Sequence, residues 1–155
     1  MKGSGKRVLA SGAFEILHPG HIKFLAEAKK IGGEGSKLIV VIARDETIKE
    51  RKRREPIMDE ESRKEIISAL KLVDEVILGH APFSFEEVIE EVKPDIVVFG
   101  HDQDELMNQF KKFAKEHKLK VEIVKVQKFS SNFSSTTEIV ERIKRIFFMD
   151  KNHPL

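Results

Sequence analysis

The chain has 155 residues, a net charge of +2 and 40% apolar residues, which is one domain's worth with a real core. That balance excludes whole-chain disorder and gives no bulk electrostatic drive toward nucleic acid or a membrane surface. Cysteine is absent, so disulfides, thiolate metal sites and cysteine nucleophiles are excluded; no apolar run reaches membrane-spanning length and no signal peptide opens the chain, so a cytoplasmic location is expected.

One domain is expected across residues 1–155, with Met1 to Lys6 set aside as a frayed or added start. The first apolar run, 7–11, reads as a strand, and Gly12 lets the backbone turn as it leaves. His18-Pro19-Gly20-His21 then opens a helix over 21–31, which stops at Gly32-Gly33. A second strand is predicted over 37–43, followed by a dense basic loop from Lys49 to Arg54. Next come a helix over 59–70, a strand over 75–78, and a short helix over 84–92 that ends before Pro94. Ile96-Val97-Val98-Phe99 forms the fourth strand, 104–117 a helix, and 121–126 the fifth strand. The last helix, 135–149, is expected to bury Ile139, Ile143, Ile146 and Phe147. The continuous apolar runs of strands two and four are those of strands covered on both faces. Alternating β and α therefore predicts an α/β fold: a Rossmann-like, doubly wound parallel sheet of five strands with flanking helices.

In such a sheet the ligand crevice lies at the carboxyl ends of the strands. Three polar clusters fall there: Gly12 to His21, Gly100-His101-Asp102, and Ser134-Ser135-Thr136-Thr137. His-x-x-His at a helix start is a poor metal site by itself but is placed to grip phosphate. The helix end offers free N–H groups and a positive dipole, and the imidazoles add two donors. The hydroxyl cluster reads both as an anion site and as an N-cap with a Ser135…Glu138 capping box. Asp102 is compatible with a nucleoside contact and with a plain helix-capping turn. The basic run is compatible with a solvated loop, a nucleic-acid contact or a lid over phosphates. Near-neutral net charge counts against nucleic acid, and no metal site made by the protein itself is expected.

Gly12-Ala13-Phe14-Glu15…His18-Pro19-Gly20-His21 resembles the Gly-Thr-Phe-Asp…His-x-Gly-His signature of the cytidylyltransferase-like nucleotidyltransferases. Ser134-Ser135-Thr136-Thr137-Glu138-Ile139 resembles their Ile-Ser-Thr-Thr-x-Ile element, and the stretch from Arg63 through Lys71 to Val76 their Arg-x7-Arg-x-Val-Asp-Glu-Val stretch. The resemblance implies nucleotidyl transfer from a nucleoside triphosphate to a phosphate, with Mg²⁺ carried on the triphosphate. It implies a catalytic set of His18, His21, Lys49 (or its neighbour Lys52) and Arg63. Gly12, Ala13, Phe14, Gly100, Asp102, Ser135, Thr136 and Thr137 fall to nucleotide binding beside the histidines. Glu15, Lys71 and Lys128 fall to the acceptor side. A homodimer is the state common in the family.

Taken whole, residues 7–146 most resemble the archaeal FAD synthases, which implies ATP and FMN as substrates. Glycerol-3-phosphate cytidylyltransferase is almost as similar in its core motifs, and phosphopantetheine adenylyltransferase less so. The departures are Ala13 for Thr, Glu15 for Asp, and residues 129–133 where the archaeal enzymes often carry cysteines. A nucleotide sensor is the non-enzyme alternative; it predicts triphosphate binding without pyrophosphate release. With no Trp or Tyr, stacking on an acceptor ring falls to Phe83, Phe85 or Phe129.

Overall fold

In the computed structural model, residues 5–149 are described. Five strands form one parallel sheet: β1 (Arg7–Gly12), β2 (Lys37–Ile42), β3 (Glu75–Leu78), β4 (Ile96–Phe99) and β5 (Glu122–Lys125). Their order is β3-β2-β1-β4-β5. The chain winds outward from β1 to β3, then returns to place β4 on the other side of β1. This reversal opens a crevice between the carboxyl ends of β1 and β4.

Residue alternation along the strands builds two cores. Val8, Ala10, Leu38, Val40, Ile42, Ile96 and Val98 face one side, where Leu25 and Ala28 of α1 (Pro19–Gly32) and Ile67 of α3 (Glu60–Ser68) cover them. Leu9, Ile39, Val41, Val97 and Phe99 face the other. There they meet α4 (Phe85–Val92) and α5 (Asp104–Glu116) through Val88, Val92, Met107 and Phe110. Burial on both faces explains the uninterrupted apolar runs of β2 and β4. No helix among the described residues is long and apolar enough to cross a membrane.

Three expectations need correction. The segment read as a basic loop begins as a helix, α2 (Asp45–Lys52), and turns out of it only at Arg53, whose backbone is left-handed (φ 53°). Acidic Asp45 and Glu46 open it and Lys49, Arg51 and Lys52 close it, which complements the helix dipole. The last helix, α6 (Thr136–Lys144), gives way to a wider π-helical turn, Arg145–Met149, and neither piece has a buried residue. Ile143 and Phe147, expected inside, are 41% and 42% exposed. Finally, Lys6 is not frayed: its carbonyl accepts the N–H of Lys37 at 2.9 Å and extends the β1–β2 ladder.

Candidate active site

Turns leaving β1, β4 and β5 wall a single cavity of about 270 Å³. The β1 turn is built tightly. Phe14 holds a left-handed backbone (φ 50°), a strained state for a residue with a side chain. Its ring lies 5.0 Å from that of His21 and fills the space a Cβ on Gly12 would enter, at 2.8 Å.

His18 is the N-cap of α1 and Pro19 its first residue. The two histidines lock each other: the His18 N–H donates to Nδ1 of His21, and the His21 N–H donates to Nδ1 of His18, both at 3.3 Å. Their rings stack at 3.6 Å. With each Nδ1 accepting, each ring keeps its proton on Nε2, which leaves Nε2–H as the donor for a ligand. Burial lowers the pKa of His18, against the pull of Glu138 and Asp102. Burial, then His18 and Lys52, push His21 down to about 4. The pair is therefore neutral at neutral pH.

Ser134 to Thr137 face this pair across the cavity, at the start of α6. The Ser135 hydroxyl caps the helix by accepting the Glu138 N–H at 3.2 Å. The Glu138 carboxylate reaches back one residue further than a capping box, accepting from the N–H and hydroxyl of Ser134 at 3.1 and 3.0 Å. Gly20 joins the two helix starts. A Cβ there would lie 2.9 Å from the His18 ring and 3.0 Å from the Ser134 carbonyl, so only glycine fits. On the third wall, Gln103 accepts the Gly100 N–H at 2.8 Å and donates to the Ser11 carbonyl at 3.1 Å. It ties the ends of β1 and β4 across the switch point. Asp102 stands beside it on the cavity wall.

The structure reassigns several expected residues. Arg63 is fully buried and does not line the cavity. Its guanidinium donates to the carbonyls of Ala13, Ala43 and Met58 and to Asp45, so it is a strut that fixes the turns after β1 and β2. Lys49 pairs with Glu55 at 3.2 Å, outside the cavity; Lys52, one turn on, lines it. Glu15 lies on the cavity floor, but its carboxylate is committed to Lys52 (2.6 Å), Arg54 (2.7 and 2.8 Å) and the Ile57 N–H (3.2 Å). The Arg54 bond foremost holds its pKa at about 2, so it is a permanent anion that anchors the end of α2.

Lys71 precedes β3 and so lies at the amino edge of the sheet, opposite the crevice. Lys128 is exposed and does not line the cavity; its charge adds to the Ser134 bonds that hold the Glu138 carboxyl below its ordinary pKa. Gly12, Ala13, Phe14, His18, His21, Gly100, Asp102, Ser135, Thr136 and Thr137 do come together. Ser11, Phe24, Gln103 and Gln127 also line the cavity and were not anticipated. Gln103 was the readable one, since it follows Gly100 and Asp102 by so few residues. Among the described residues, no cluster of three or more His, Cys, Asp or Glu could hold a metal ion.

The family model for cytidylyltransferase-like proteins matches residues 9–142, from β1 into α6, and so takes in all three walls. The chain belongs to the cytidylyltransferase-like family. Among curated members, the FAD synthase of Methanopyrus kandleri is 47% identical over 140 residues, covering 90% of this chain and 92% of that protein. The FAD synthase of Methanobrevibacter smithii is 42% identical over 147 residues, covering 94% and 95%. A solved structure described as the lipopolysaccharide core biosynthesis protein of Thermoplasma volcanium is 41% identical with a TM-score of 0.73. It covers 81% of this chain and 99% of that one. The five-stranded parallel sheet with its flanking helices is thus a fold shared within the cytidylyltransferase-like family.

Proposed function

We propose that this nucleotidyltransferase moves the adenylyl group of ATP to FMN, giving FAD and pyrophosphate. The observation that carries the reaction class is the pair of helix N-termini facing each other across one cavity, with two neutral histidines on one side and a hydroxyl cluster on the other. The FAD synthases at 47% and 42% identity over nearly the whole chain favour ATP and FMN.

An FMN phosphate oxygen attacks the α-phosphorus of ATP in line. The new P–O bond forms as the bond from the α-phosphorus to the bridging α–β oxygen breaks, and pyrophosphate leaves with that oxygen and the bond's electrons. A phosphate dianion is already a nucleophile, so catalysis reduces to positioning and charge stabilisation. Nε2–H of His18 and His21, at the positive end of the α1 dipole, face the α- and β-phosphates. The start of α6, with Thr136 and Thr137, holds the departing β- and γ-phosphates. Gly100 and Asp102 take the nucleoside, and Lys52 the acceptor phosphate. Mg²⁺ arrives as part of the MgATP substrate, as is usual where phosphates supply most of its ligands. The working state is a homodimer in the cytoplasm, which light scattering and cell fractionation test.

The deciding experiment measures pyrophosphate release with Mg²⁺, pairing ATP or CTP with FMN or glycerol 3-phosphate, products identified by mass. FAD from ATP and FMN alone is expected. Release only with CTP and glycerol 3-phosphate would keep the phosphate site and overturn the acceptor. Nucleotide binding with silence in every pairing would favour a sensor.

A further inference from the structure

In the proposed reaction Lys52 meets the acceptor phosphate, yet its Nζ lies 2.6 Å from Oε2 of Glu15. That carboxylate is buried, with 1% of its side chain exposed, and stripping a buried carboxylate of its only cation is strongly unfavourable. Glu15 has a second cation. Arg54 grips it through both oxygens, Nη2 to Oε2 at 2.7 Å and Nη1 to Oε1 at 2.8 Å, and the Ile57 N–H donates to Oε1 at 3.2 Å. Arg54 is also tied to its own loop, since Nη1 donates to the Glu55 carbonyl at 3.0 Å. Lys52 and Arg54 reach one carboxylate because Arg53 between them turns left-handed and ends α2. The two cations are unequal. Lys52 makes a single bond to Glu15 from a flexible stem, on an oxygen it shares with Arg54, whereas Arg54 holds a planar fork against both oxygens. With Lys52 withdrawn, Glu15 keeps three donors and one full positive charge. The Arg54 bond is the foremost reason its pKa is held at about 2, so the carboxylate stays ionised without the lysine. The Lys52 side chain is 42% exposed and lines the cavity, so it has room to turn.

We propose that Arg54 is a positioning residue for the reaction: it keeps Glu15 neutralised while Lys52 turns from Glu15 to the acceptor phosphate. The proposal rests on the role given to Lys52 above. Glu15 then parks the lysine at the edge of the site, and Arg54 sets how tightly it is parked. A phosphate dianion outcompetes an oxygen that already serves a guanidinium, so Lys52 leaves when the acceptor arrives and returns when the product departs. Without Arg54, Lys52 is the one cation left on a buried anion, and Glu15 keeps it.

The test compares wild type, Arg54→Gln and the double variant Glu15→Gln/Arg54→Gln. Steady-state kinetics are run against FMN, and acetic anhydride labelling of Lys52 is read by mass spectrometry against the exposed Lys118 as internal standard. Arg54→Gln should raise KM for FMN by about tenfold, the scale of one charge-assisted bond withheld from the acceptor, with a smaller change in kcat. It should also cut Lys52 labelling severalfold. Removing the anion as well should release the lysine, so the double variant should bring KM for FMN back toward wild type and label Lys52 faster than wild type does. An arginine that merely braces the loop predicts no such rescue. A raised KM that the double variant does not restore overturns the exchange, as does an unchanged KM for FMN in Arg54→Gln. If Arg54→Gln does not fold, Glu15→Gln alone carries the test: Lys52 labelling should rise severalfold, and labelling at the wild-type level overturns the proposal. A wild type that makes no FAD overturns the acceptor reading. The labelling needs no turnover, so equal labelling of Lys52 in all three proteins overturns the exchange whatever the acceptor.

Discussion

His18 and His21 are uncharged in the resting site, so their contribution is directional. Each main-chain N–H holds the partner's Nδ1, which fixes ring and tautomer without help from any carboxylate. In the proposed reaction a neutral Nε2–H meets the charge that grows on the phosphates, the kind of preorganised donor whose loss costs about 10²–10³ in kcat. His21→Ala is therefore expected to lower kcat by about that factor with a much smaller change in KM for ATP; near-normal turnover would remove the role. Arg63 makes the contrasting case. Its fork joins two strand-end turns and an aspartate from a fully buried position, a geometry a lysine cannot span. Arg63→Lys leaves buried carbonyls unpaired and is expected to cost about 3 kcal/mol in denaturant unfolding. Unchanged stability with lost activity would instead make Arg63 a catalytic group.

At the scale of elements, the start of α6 does two jobs at once. Ser135 caps the helix, and Thr136 and Thr137 beyond it line the cavity where the proposed reaction places the triphosphate. Ser135→Ala is expected to cost about 1 kcal/mol of stability, as for a lost N-cap, and to weaken binding of a non-hydrolysable ATP analogue more than binding of FMN. Calorimetry showing equal affinity for the analogue would separate capping from anion binding. Which elements were legible follows from what each buries. β2 and β4 were plain because both faces are covered, and α4 because Val88 and Val92 recur at helical spacing before a proline. Helix α2 was hidden because it buries only Thr47 and Ile48, so its charges outweigh its pattern. In α6 the pattern is present, but the described structure places no layer over it, so apolar spacing overstated burial. The histidine turn was legible as a helix start at the carboxyl end of β1, where the cavity lies. The roles of Arg63 and Glu15 were not, because a motif marks a residue without saying whether it touches substrate or holds up the turn that does.

Across the whole molecule, the site's charge states make stability depend on pH in one direction. Glu15, held at about 2, is ionised in the folded chain well below the ordinary 4.5 of the unfolded one. Its contribution is present above pH 4.5 and is lost as pH falls toward 2. The histidines act at higher pH with the same sign. His18 is held below its ordinary 6.5 and His21 falls to about 4, so between those values the unfolded chain binds more protons than the folded one. Stability therefore declines as pH drops below 6.5, before any carboxylate begins to titrate. Urea midpoints of the ligand-free protein are expected to hold steady above pH 7, to fall between pH 6.5 and 5, and to fall further below pH 4.5. In His21→Gln the first of these declines should shrink while the second persists. Bound ATP should shrink it too, because a polyanion beside the pair favours the imidazolium and raises the folded-state pKa. Midpoints that stay flat from pH 7 to 5 in wild type would mean the histidines are charged or solvated in the resting site. The neutral, mutually locked donor pair would then be wrong.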